Sequence, residues 1–82
     1  MSLIRIREDD HVDVAEIRPL STKEVNDVKM FDFFEPTYLE TRTANIKNGK
    51  VTAVVPGLVR KWYFVAHDHG TGVYRRDELT LC

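Results

Sequence analysis

Lys61-Trp62-Tyr63-Phe64-Val65-Ala66 is the stretch that decides the fold. Aromatic and β-branched side chains follow one another without a break, which is the composition of a pleated, half-buried strand. Strand side chains alternate, so Trp62 and Phe64 share one face and Tyr63 takes the other. The stretch therefore predicts a β-strand buried on at least one side.

Working outward from it, the neighbours also read as β. Downstream, Asp68-His69-Gly70-Thr71-Gly72 predicts a turn and Val73-Tyr74-Arg75-Arg76 a strand. Asp77-Glu78-Leu79 is a short turn before Thr80-Leu81. Upstream, Pro56-Gly57 is a loop and Val51-Thr52-Ala53-Val54-Val55 a strand. Lys47-Asn48-Gly49-Lys50 carries Asn-Gly, the strongest short hairpin signal, because both residues tolerate positive φ. Residues 37–46, with their Thr and Tyr, form the other arm of that predicted hairpin.

The N-terminal half holds the one helix signal. In Leu20-Ser21-Thr22-Lys23-Glu24-Val25, Ser21 can accept from the Glu24 N–H while the Glu24 carboxylate reaches back to the Ser21 N–H. Leu20 and Val25 stand at the positions of a hydrophobic staple. A helix over 22–30 follows, and Pro36 stops any continuation. Before it, Leu3-Ile4-Arg5-Ile6-Arg7 and residues 11–17 predict two strands of a hairpin turning at Glu8-Asp9-Asp10. The fold class is thus mostly β or α+β: a small antiparallel sheet or small barrel with one capped helix.

From Gly49 onward the order of elements resembles an SH3-like small barrel of the Tudor or KOW type. The resemblance rests on Val51-Thr52-Ala53-Val54-Val55, Lys61 to Ala66, Asp68-His69-Gly70-Thr71, Gly72-Val73-Tyr74-Arg75-Arg76 and Asp77-Glu78-Leu79. It covers residues 49–82 and implies a fold, with no function attached, since folds of this kind host many.

The 82 residues leave room for a single small domain, 1–82. Cys82 is the only cysteine, so no internal disulfide is available and a reducing, cytoplasmic setting is expected. No apolar run approaches the ~18 residues of a membrane span, which predicts a soluble protein with no membrane partner. The net charge of −1 hides a division. Residues 1–40 carry five basic and ten acidic side chains, a net of −5; residues 41–82 carry seven and three, a net of +4. Such a division marks either an anion-binding half or two halves that face each other and offset their fields.

Catalytic groupings are missing. Ser21 is committed as a cap, Cys82 is terminal, and no glycine-rich phosphate loop is present. No enzyme activity and no cofactor are expected. His67 and His69 would project to one face of a strand and are weak metal-ligand candidates, with His11 a third; the alternative is a turn with solvated imidazoles.

Two binding readings remain. The aromatic stretch Phe31, Phe33, Phe34, Tyr38 exceeds what one helix face needs. It predicts a protein-interaction surface, unless these rings are the core of a domain with few other large residues. Arg60, Lys61, Trp62, Tyr63, Tyr74, Arg75 and Arg76 would be brought together if the two C-terminal strands pair. They form the alternative, a nucleic-acid face in which cations hold phosphates and a ring stacks on a base. Against it, Trp62 and Phe64 can be core while the cations guard a sheet edge. The favoured function is a non-enzymatic protein-binding module, a small regulator or inhibitor of a larger machine. Opposite charge in the two halves also permits a homo-oligomer, head-to-tail or two-fold.

Overall fold

In the computed structural model, which describes residues 5–82, the decisive stretch is strand β3 (Lys61–His67), buried on both faces. Trp62 and Phe64 pack to one side with Val28 and Val73. Tyr63 and Val65 pack to the other with Ile6, Val12, Val14, Ile46, Val51, Tyr74 and Leu79. Two apolar clusters thus share one strand, as the alternation requires.

Around β3 lie β1 (His11–Val14), β2 (Ile46–Pro56), β4 (Gly70–Tyr74) and β5 (Thr80–Leu81), with a 3-10 turn at Arg76–Glu78. They form one antiparallel sheet in the order β4-β3-β2-β1-β5. β4 and β5 are its two edges, so the ladder is open and the barrel is not closed. Helices α1 (Thr22–Lys29) and α2 (Thr37–Glu40) complete a mostly β, α+β domain. Rings from the segment that joins them pack on the Trp62–Phe64 cluster.

α1 forms where its capping box places it. Glu24 N–H donates to Ser21 Oγ at 3.2 Å and Ser21 N–H donates to Glu24 Oε1 at 2.8 Å. The helix stops at Met30, ahead of the phenylalanines.

Several sequence expectations are corrected. Asn48-Gly49 makes no hairpin turn; both residues lie inside β2. Val12 pairs with Gly49 and Val14 with Ile46, so β2 carries one residue more than β1 over that span. Asn48, at φ 58°, absorbs the extra residue as a bulge. Its N–H donates to Asp13 Oδ1 at 2.8 Å. Gly49 is needed for a different reason: a Cβ there would stand 2.7 Å from Val65 Cγ1.

Of residues 37–46, only Ile46 lies in a strand, as the first residue of β2. Pro36, at φ −56°, opens α2 instead of ending a helix, because its ring pre-sets a helical φ. Tyr38 and Leu39 then pack on the Trp62–Phe64 cluster. In the expected first strand, Leu3 and Ile4 fall outside the described residues and 5–7 take no strand conformation. The turn expected at Glu8-Asp9-Asp10 does form, with Asp10 N–H donating to the Arg7 carbonyl at 3.1 Å. β4 begins at Gly70 and ends at Tyr74, so Arg75 and Arg76 lie beyond the strand.

Candidate interaction surface

The inward face of α1 is acidic. Glu24, Asp27 and Val28 are its buried residues. The helix lowers two carboxylates into the domain, and each must find donors or stay neutral.

Glu24 meets the C-terminal cations. Arg75 Nη1 lies 3.0 Å from Glu24 Oε2, and Arg60 Nη2 lies 3.3 Å from the same oxygen. The Ser21 N–H holds the Glu24 pKa below its ordinary value; burial opposes this and Arg75 reinforces it. Arg75 also reaches Glu78 Oε2 at 3.3 Å, and Arg42 closes on Glu78 with both terminal nitrogens at 2.8 Å. Glu78 further accepts from the N–H of Arg75 and of Arg18. Burial works against ionisation of Glu78, but these donors outweigh it and the pKa falls to about 2. Arg60, Glu24, Arg75, Glu78 and Arg42 are therefore one chain of alternating charge inside the fold.

Four ion pairs join the basic second half of the sequence to its acidic first half. Arg60 and Arg75 meet Glu24, Lys47 meets Asp13, and Lys50 meets Asp9. In each pair a cation of the second half faces an acid of the first.

The nucleic-acid candidates consequently do not form a face. Trp62, Tyr63 and Tyr74 are buried and offer no ring for a base, and Arg75 is buried between carboxylates. Arg60 is half-exposed but committed to Glu24, with its guanidinium 6.0 Å from the Trp62 ring. Lys61 and Arg76 lie at the surface, and Arg76 Nη1 donates to the Leu79 carbonyl.

Of the histidines, His67 has both ring nitrogens engaged. His67 Nδ1 accepts from the His69 N–H at 3.2 Å, so Nε2 carries the proton toward Tyr74 Oη at 3.1 Å. Burial, then the neighbouring His69, pushes the His67 pKa below its ordinary value. Among the described residues no group of three His, Cys, Asp or Glu side chains is placed to hold a metal, His11 included.

Asp27, the second inward carboxylate, organises a surface that the sequence did not announce. Its Oδ2 accepts from Trp62 Nε1 at 2.9 Å and from the Val59 N–H at 2.9 Å, and its Oδ1 from the Leu58 N–H at 2.7 Å. Burial raises its pKa, but these bonds outweigh it and the group is held below its ordinary value. Gly57 N–H closes the loop on the Arg60 carbonyl at 2.9 Å. A Cβ at Gly57 would stand 2.3 Å from Asp27 Oδ2, so only glycine admits the carboxylate. The backbone of residues 57–60 is thereby fastened to α1, while the side chains of Leu58 (83% exposed) and Val59 (46%) point to solvent.

Beside them stand Met30 (65%) and Phe33 (47%). Met30, Phe31, Pro56, Gly57 and Leu58 line a cavity of about 230 Å³ with Asp27 in its wall. Phe31 stacks on Phe33 at 5.5 Å, and Phe33 meets Phe64 edge-on at 5.3 Å. Leu58, Met30 and Phe31 thus share one recess, and the Phe31 ring carries the apolar contact on to Phe33. Of the four interaction candidates, Phe33 is exposed, while Phe31, Phe34 and Tyr38 are half-buried supports packed on the core. Leu58 and Val59 were missed because Pro56-Gly57 reads as an ordinary loop. The signal lay in Asp27, a carboxylate on the same helix face as Val28.

A larger open groove of about 510 Å³ lies between Ile17, Pro19, Leu20, Val25 and Leu39, with Arg18 and Arg42 at its side. Those two cations are engaged with Asp77 and Glu78. Among the described residues no helix is long and apolar enough to cross a membrane. Comparison of the chain with protein-family models, curated proteins and solved structures returns no match.

Proposed function

We propose that this domain is a non-enzymatic protein-binding module that acts through Met30, Phe31, Phe33, Leu58 and Val59. One observation carries the reading. Two apolar side chains are presented to solvent by a loop whose backbone is hydrogen-bonded to a buried carboxylate. Flexible loops lose entropy on binding, whereas a pre-fastened one does not, and that difference is what makes exposed apolar groups effective anchors. Half-buried Phe31 and exposed Phe33 supply the ring surface that interfaces favour. A compact module with one such patch suits a small regulator or inhibitor of a larger assembly, working in the cytoplasm.

The test uses a photo-crosslinking amino acid at position 58, and at Lys23 as a surface control, in cells that express the chain. A discrete protein adduct from position 58, absent at Lys23 and abolished by Met30→Asp, is expected. Equal adducts from both positions, or none from 58, would sink the proposal. Labelled single- and double-stranded DNA and RNA give the opposing arm. Salt-steep binding to them would replace this reading with the nucleic-acid one.

A further inference from the structure

We infer that the protein which fits this patch is a second copy of the same chain, docked about a two-fold axis. The inference rests on the reading of the patch as a protein-binding surface.

A two-fold interface must be self-complementary: each projection needs its recess on the same surface, and each charge its opposite. Both conditions are met here. The projection is Leu58, the most exposed large apolar residue among those described, and it stands on the wall of the recess lined by Asp27, Met30, Phe31, Pro56 and Gly57. At about 230 Å³ the recess is smaller than the several hundred Å³ of small-molecule sites. It matches one inserted apolar side chain. A two-fold operation places each Leu58 at the recess of the other copy.

The charges follow the same rule. Lys29 and Asp32 flank Met30-Phe31 in the chain, are exposed, and make no ion pair among the described residues. They contrast with the cations of the interior and of β2, which are all matched to nearby acids. Rotation about the axis can set Lys29 of each copy against Asp32 of the other. With charges of both signs at its edge, Lys29 and Asp32 among them, the patch can be complementary to itself.

Sedimentation velocity of the full chain, from about micromolar to about millimolar concentration, reads the self-association directly. Reversible dimerisation is expected in the wild type and its loss in Leu58→Asp, with far-UV circular dichroism and Trp62 emission unchanged. Lys29→Asp and Asp32→Lys should each weaken the dimer about tenfold, by setting like charges together. The double variant should restore it, because both cross-pairs are re-formed with reversed sign. A wild-type monomer throughout the range overturns the inference, as does a dimer indifferent to Leu58→Asp. A monomer that still gives a Leu58-dependent adduct with a different protein overturns the second copy alone. A monomer without that adduct overturns the protein-binding reading too.

Discussion

Replacing Glu78 with Gln removes one negative charge and leaves the shape almost unchanged. The carboxylate accepts from both terminal nitrogens of Arg42, from Arg75 Nη2, and from two backbone N–H groups. With Gln there, Glu24 alone faces the buried part of the network. The magnitude follows from the proton equilibrium. Glu78 has its pKa lowered from 4.5 to about 2. At about 1.36 kcal/mol per pH unit this gap corresponds to about 3 kcal/mol of folding stability. The sign is that of a depressed carboxylate: the stability is present above pH 4.5 and is lost as pH falls toward 2. A Gln resembles the protonated acid, so Glu78→Gln should cost about 3 kcal/mol at pH 7 and only about 1 kcal/mol at pH 3. Breaking a buried ion pair costs a comparable amount, about 3–5 kcal/mol. Urea unfolding followed by Trp62, the only tryptophan and wholly buried, measures both values. A cost under about 1 kcal/mol at pH 7, or an equal cost at the two pH values, would refute the reasoning.

Two other substitutions probe the loop. Asp27→Asn converts one acceptor oxygen to a donor among three N–H groups. Urea unfolding should show a loss of about 1–3 kcal/mol, with Trp62 emission shifted to the red and Leu58-dependent binding reduced. Gly57→Ala forces a Cβ against Asp27 Oδ2. It should cost about 1–3 kcal/mol by the same assay; a neutral result would mean that the loop is not held against the helix.

Local signals told the truth where the structure is local. The capping box at Ser21 and Glu24 is satisfied within one turn of chain, so α1 was legible to within a residue. The alternation of Trp62, Tyr63, Phe64 and Val65 fixed a strand with two buried faces, because period two has only two sides to offer. Asn48-Gly49 misled for a physical reason. Positive φ serves a bulge as well as a turn, and which one forms depends on β1, more than thirty residues earlier. Residues 37–46 were lost to the same cause: packing of Tyr38 and Leu39 on Phe64 and its neighbours outweighed β propensity. The site was less legible than the fold. Arg75 beside Tyr74 looks like a surface cation until Glu24, on another element, is placed 3.0 Å away. Phe33 was visible as an excess aromatic. Leu58 was not, because its role depends on the tertiary contact with Asp27.

The pairing of β1 with β5 bears on how the chain folds. Val12 lies opposite Leu81, and the Cys82 N–H donates to the His11 carbonyl at 3.0 Å, so opposite ends of the described chain are joined. β2, β3 and β4 follow one another as neighbours and need only short closures. The seam between β1 and β5 needs nearly the whole chain, and the entropy of that closure is met before any contact rewards it. On these separations the meander is expected to assemble first and the seam last. Until Thr80 and Leu81 dock, Val12 and Asp13 stand on an open strand edge, the place where an incompletely folded chain is expected to pair with another.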